Sequence, residues 1–142
     1  MPPVSLITWE AGASLLRPLR TTVFVEEQGV PAELEMDALD ALCVHAISMD
    51  EGRAIATGRL LPAENGVARI GRMAVAREWR GRGVGAQVLA VLMQAARERG
   101  DQAIELHAQL HAAPFYDKLG YTRVGEVYEE AGIPHINMRC PL

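Results

Sequence analysis

The chain has 142 residues, of which 49% are apolar and 23% charged, with a formal net charge of −4. That length predicts one domain over residues 1–142, able to bury about two-thirds of its unfolded surface. The acidic balance argues against general nucleic-acid binding, and no apolar run approaches bilayer length. The N-terminal MPPVSLITW lacks the charged and apolar regions of a signal peptide, so a cytoplasmic location is expected. Cys43 and Cys140 read as buried free thiols, and no His/Cys pair has metal-ligand spacing, so no metal is expected.

Val4 to Trp9 reads as a first strand. A helix is expected from about Ser14 to Val25, with Ser14 as N-cap and Leu15, Leu16, Leu19 and Val23 at helical spacing. Pro18 weakens its first turn, and Phe24 to Pro31 should break it into a loop. The acidic residues Glu33, Glu35, Asp37 and Asp40 that follow could draw a cationic amine, but the safer expectation is a solvated surface. Leu42–Met49 and Ala54–Leu61 read as strands joined by a hairpin at Asp50 to Arg53. Asn65-Gly66 marks another turn, and Val67–Val75 a central strand.

From Gly83 the apolar spacing becomes helical, with Val84, Val88, Val91, Leu92 and Ala95, and Gly100 is a good terminator. Ala103–His107 reads as a short strand parallel to Val67–Val75 through a right-handed crossover. Ala112–Leu119 is expected as a helix ended by Gly120. Tyr121–Tyr128 and His135–Arg139 close the chain as a strand pair around a Glu129–Pro134 connection.

The chemistry concentrates between the central strand and the long helix, at Arg80-Gly81-Arg82-Gly83-Val84-Gly85. Glycines let a ligand approach the backbone, and the first turn of a helix offers unpaired N–H groups at its positive end. Arginines beside such a turn favour phosphate. Arg69, Arg72, Arg77, Arg80 and Arg82 are expected to gather there. Gly81-x-Gly83-x-x-Ala86 also fits a dinucleotide fingerprint, with Glu105 roughly 20 residues on. Against that reading, Ala76 to Arg80 separate strand from glycine, and Glu105 falls inside a strand rather than at its end.

Arg80, Gly83 and Gly85, preceded by Arg72-Met73-Ala74-Val75, satisfy R-x-x-G-x-G, which resembles the acyl-CoA pyrophosphate loop of the GNAT N-acetyltransferase superfamily. Phe115-Tyr116-Asp117-Lys118-Leu119-Gly120-Tyr121 resembles a second segment of that family. Arg20-x-x-Val23-Phe24-Val25-x-Glu27-Gln28-x-Val30-Pro31, with Gly132-Ile133-Pro134-His135-x-x-Met138, is similar to its bacterial YjcF/ElaA-like subgroup. The resemblance implies an α/β, single-domain GNAT-like fold. Its mixed, mostly antiparallel sheet would have six to seven strands, splay between the fourth and fifth, and carry about four helices.

By the same resemblance the activity is acetyl transfer from acetyl-CoA to a primary amine, by direct attack in a ternary complex. Met73, Ala74, Val75, Arg80, Gly81, Arg82, Gly83, Val84, Gly85, Ala86, Phe115 and Tyr116 would bind the cofactor. Met73 and Val75 would act through their backbone, though core packing explains their side chains equally well. Tyr116 would be the general acid, since a phenol of pKa about 10 can protonate a departing thiolate. A lysine-like amine is neutral only about one part in 2,500 at pH 7, a cost near 5 kcal/mol without a base. Glu27, His107 and His135 are the candidates, with Glu27 favoured and Gln28, His107 and His135 expected around the acceptor. His111 flanks the same opening. The expected partner is a small-molecule or peptide amine, with no nucleic acid, no membrane and an optional homodimer. A non-catalytic acyl-CoA binding module on the same fold is the main alternative.

Overall fold

The computed structural model describes residues 1–142. Its strands are β1 (Val4–Ile7), β2 (Val44–Asp50), β3 (Arg53–Leu60), β4 (Val67–Val75), β5 (Ala103–Gln109), β6 (Thr122–Glu130) and β7 (Ile133–Pro141). Its α-helices are α1 (Trp9–Arg20), α2 (Ala32–Glu35), α3 (Val84–Arg99) and α4 (Ala113–Lys118). The strands form one sheet in the order β1-β2-β3-β4-β5-β7-β6. Only β4 and β5 run parallel; every other pair is antiparallel.

Both faces of the sheet are covered at its centre, which is why Ile55 to Leu60 of β3 are buried without alternation. On one face α3 lays Val84, Val88, Leu89, Leu92 and Ala96 against Ala56, Leu60, Ile70, Ile104 and Leu106. Gly58 makes that approach possible. A Cβ there would lie 2.6 Å from Met73 Sδ and 3.1 Å from Val88 Cγ1. On the other face Leu19, Val23, Phe24 and Ala74 form a smaller core.

The strand-and-turn reading of residues 44–109 holds to within a residue or two, and Gly100 ends α3 with φ of 91°. The first helix differs. It starts at Trp9, not near Ser14, because Thr8 is the N-cap and its hydroxyl accepts from the Ala11 amide at 3.2 Å. Nor does Phe24 open a loop. Residues Thr21–Glu27 continue as a π-helical segment, in which Gln28 N–H reaches back to the Val23 carbonyl at 3.2 Å. Pro18, inside α1, has no N–H for the carbonyl four residues earlier and crowds it, and the wider turn follows directly. The closing strands also run longer than expected, meeting at a tight Ala131-Gly132 turn.

Of the acidic run only Glu33 is a purely solvated surface residue; Glu35, Asp37 and Asp40 are each paired with arginine. Asp40 is buried and accepts from Arg20 Nη1 at 2.9 Å and from Arg59 Nη1 at 2.8 Å. Glu35, also buried, takes Arg20 Nε at 2.5 Å. Asp37 takes Arg59 Nη2 at 2.9 Å and Arg72 Nη2 at 3.2 Å. Three guanidiniums and three carboxylates therefore lock α1, α2, β3 and β4 together. Burial alone would raise the Asp40 pKa, but the hydrogen bonds and charges of Arg20 and Arg59 outweigh it and lower it. The Arg59 hydrogen bond is the main reason the Asp37 carboxyl is held down to about 2.

Asp40→Asn should destabilise the fold by about 3–5 kcal/mol, because it leaves two buried guanidiniums without their shared counter-ion. Denaturant unfolding measures this. Since Asp37 has a depressed pKa in the folded state, its contribution is present above pH 4 and lost as pH falls toward 2. Asp37→Asn should flatten acid unfolding in that window.

Candidate functional site at the splayed strands

The ladder between β4 and β5 pairs Val67 with Ala103 through Ile70 with Leu106, then stops. Both strands continue on their outer sides, β4 with β3 to Val75 and β5 with β7 to Gln109. The divergence begins at a β-bulge. Gly71 pairs with Arg59 and Ala74 with Thr57, so Arg72 and Met73 together oppose Gly58. Arg72 takes a left-handed φ of 51°, which costs a residue with a Cβ. Its guanidinium accounts for that strain, bonding the Glu35 carbonyl at 3.0 Å and the Leu34 carbonyl at 3.1 Å.

Beyond the bulge the Ala76 amide donates to Ile55 at 2.8 Å. Strand alternation then turns the Ala74 amide toward β3 and the N–H and C=O groups of Met73 and Val75 into the gap. The chain passes through Arg77–Trp79 to the glycine-rich turn, where Gly81 and Gly83 have φ of 77° and 85°. Gly83 is the N-cap of α3 and its carbonyl receives the Gln87 amide. The amides of residues 81–86 have no protein acceptor, and they stand at the positive end of a 16-residue helix.

Gap and turn open into one cavity of about 1200 Å³. Met73, Ala74, Val75, Arg80, Gly81, Gly83, Val84, Gly85, Phe115 and Tyr116 line it, as do Glu27, Gln28, His107, His111 and His135. Two expected cofactor residues do not: Arg82 lies over the Trp79 ring at 4.7 Å, and Ala86 sits in the first turn of α3. The expected arginine cluster is also dispersed, because Arg72 turns to α2 and Arg80 to Glu27. Gly85 faces Val75 and Phe115 across the cavity wall. A Cβ there would stand 3.5 Å from Val75 and 3.7 Å from Phe115.

Tyr116 sits on α4, only 7% exposed, edge-on to Phe115 and Tyr121. Its hydroxyl has no protein hydrogen bond, and burial pushes its pKa up to about 12. It therefore stays protonated at neutral pH and can serve only as a proton donor. Tyr121, packed beside it, has a hydroxyl that is fully buried and unpartnered.

The wall opposite the turn follows from strand alternation. Glu105, His107 and Gln109 of β5 share a face with Arg139, Asn137 and His135 of β7. Gln109 Nε2 donates to Gln28 at 2.6 Å, bridging the sheet to the end of the π-helical segment. Tyr128 donates to Asn137 at 2.6 Å, stacks on His135 at 5.9 Å and meets His107 edge-on at 6.4 Å. His135 Nδ1 lies 2.7 Å from the Ile133 carbonyl, which can only accept. In the neutral ring the free lone pair is thus on Nε2, 3.6 Å from Glu130. Gln109, Tyr128, Asn137 and Glu130 escape a motif search, although the period of two in β5 and β7 would have gathered most of that wall.

The acetyltransferase (GNAT) domain profile matches residues 18–142. The chain belongs to the GNAT acetyltransferase family. It is 37% identical over 121 residues to YjcF of Bacillus subtilis, an uncharacterised N-acetyltransferase, covering 84% of this chain and 86% of that one. Among solved structures, an acyl-CoA N-acyltransferase from Pseudomonas aeruginosa is 34% identical and superposes with a TM-score of 0.88 over 99% of both chains. ElaA of Escherichia coli is 30% identical with the same TM-score and coverage. These relatives agree with the subgroup that the VFVEEQ and GIPH segments suggest.

The Tyr121 hydroxyl forms no bond that its removal would break. Tyr121→Phe should therefore leave stability unchanged or raise it by up to about 1 kcal/mol, as thermal unfolding would register.

Proposed function

We propose that the protein is an acetyl-CoA-dependent N-acetyltransferase that moves the acetyl group to a primary amine by direct attack in a ternary complex. One observation carries the reading: the acceptor-free amides of Gly81, Gly83, Val84 and Gly85 open into the same cavity as the main chain of Met73 and Val75, where the Val75 carbonyl is held by Arg80 Nε. The first group suits a diphosphate, and the second an extended amide chain ending in a thioester. Charge-assisted hydrogen bonds of about 1.5–3 kcal/mol each make a few such contacts enough for an anchor. A main-chain N–H in the gap is placed to stabilise charge developing on the thioester oxygen.

In this scheme Glu27 takes one proton from the acceptor ammonium, and the neutral amine attacks the acetyl carbonyl. The C–N bond forms, the C–S bond breaks, and Tyr116 protonates the leaving thiolate; the second proton lost from nitrogen passes through water to restore the Tyr116 hydroxyl, and the amide keeps the third. Gln28, His107 and His135 line the acceptor side. Cys43 is no candidate for a covalent intermediate, because it is buried just before β2, donates to the Leu39 carbonyl and does not line the cavity. We take the acceptor to be a small-molecule or peptide amine and the working chain to be a single domain in the cytoplasm.

Release of free thiol from acetyl-CoA across a panel of primary amines tests the activity, and silence with every amine would favour a binding module instead. Gly85→Asp should abolish CoA binding by calorimetry, since it sets a carboxylate against the proposed diphosphate. Tyr116→Phe should keep CoA affinity and lower turnover about 10- to 100-fold; undiminished turnover would remove Tyr116 as the acid.

A further inference from the structure

Within that reading, the geometry points to Arg80 as a positioning residue with two mutually exclusive partners, Glu27 before the donor binds and the donor's diphosphate afterwards. Arg80 Nη2 holds Glu27 Oε1 at 2.5 Å, and its Nε donates to the Val75 carbonyl at 3.0 Å. Arg77 Nη2 stands 4.0 Å from the other Glu27 oxygen. The guanidinium thus spans from the strand gap to the end of the π-helical segment, across the mouth of the site. It occupies two groups that the reaction needs: a main-chain acceptor in the gap and the carboxylate proposed as base.

Arg80 immediately precedes Gly81, the first of the amides without an acceptor. A diphosphate seated on those amides brings two negative charges beside the guanidinium, and these compete with a single carboxylate for it. Arg80 itself is half-exposed, with 43% of its side chain accessible, and can turn without disturbing the core. When it turns, the Val75 carbonyl and the Glu27 carboxylate are freed together. The first can then accept an N–H from the donor's amide chain, and the second can take the acceptor's proton. Until then one Glu27 oxygen is committed to Arg80 and is not free to take the acceptor's proton. Donor binding therefore arms the base, and an amine that arrives first finds nothing to deprotonate it.

The consequence is opposite in sign to what a catalytic carboxylate alone would give. Removing Glu27's hold should help the donor bind, since the diphosphate no longer has to win Arg80 from a competitor. Titration calorimetry with CoA tests this on the wild-type chain, Glu27→Gln, Glu27→Asp, Glu78→Gln and Arg80→Gln. Glu27→Gln should bind CoA three- to tenfold tighter. Glu27→Asp should also bind tighter, because it keeps the charge and loses the reach. Glu78→Gln removes an equal charge two residues from Arg80, from a side chain that has no ion pair, and should stay within twofold of wild type. Arg80→Gln should bind at least tenfold more weakly. Equal tightening by Glu27→Gln and Glu78→Gln would reduce the effect to bulk charge and overturn the proposal. Unchanged or weaker binding by both Glu27 variants would overturn it too. A wild-type chain that binds no CoA at all would instead sink the acetyl-CoA reading on which this rests.

Discussion

The bulge at Arg72 is the constraint from which the site follows. One extra residue in β4 bends the strand away from β5 just where their ladder ends, and the resulting gap exposes main-chain groups that a continuous sheet would consume. A residue other than glycine holds the left-handed conformation there because its guanidinium is tied to α2. The ion-pair network of Arg20, Arg59, Glu35, Asp37 and Asp40 holds α2 in turn. Buried charge of this kind adds little net stability over apolar packing. Its effect here is geometric: it fixes the segment against which the bulged strand is braced.

The cavity joins two electrostatic environments. At the helix terminus the potential of the free chain comes mainly from peptide dipoles and free N–H groups, because Arg82 is stacked on Trp79 and Arg80 is paired with Glu27. On the opposite wall the polar groups are side chains held by one another, Gln28 by Gln109, Tyr128 by Asn137, and His135 by a main-chain carbonyl. On the proposed reading, the backbone-built end takes the donor and the side-chain-built wall takes the acceptor.

The strand, turn and helix from Val67 to Arg99 were legible because a change of hydrophobic period, two turn glycines and a terminating glycine all fall within one local stretch. The parallel β4–β5 pair followed from the crossover. What sequence reasoning missed depends on distance along the chain. Arg20 meets Asp40 across 20 residues, Arg72 meets Glu35 across 37, and Arg80 meets Glu27 across 53. No local pattern distinguishes such carboxylates from solvated ones. The first helix was misplaced for another reason: Thr8 and Ser14 are both acceptable caps, and Pro18 drew the start toward itself although the chain absorbs it by widening the next turn. Arg72 shows no mark of its backbone, since nothing in an arginine announces a positive φ.

Gly58 lies behind the site, on a strand that contributes no reactive group, yet the hydrogen at its α-carbon sets the clearance between sheet and α3. Met73 Sδ, Leu92 and Val88 already crowd the place where a side chain would go. Any larger residue would have to shove Met73 into the gap or lift the whole helix, carrying its N-terminal amides away from the strand opening. Sensitivity to substitution in this protein should therefore run deepest at a silent position in the third strand, well before any atom of the reactants is reached.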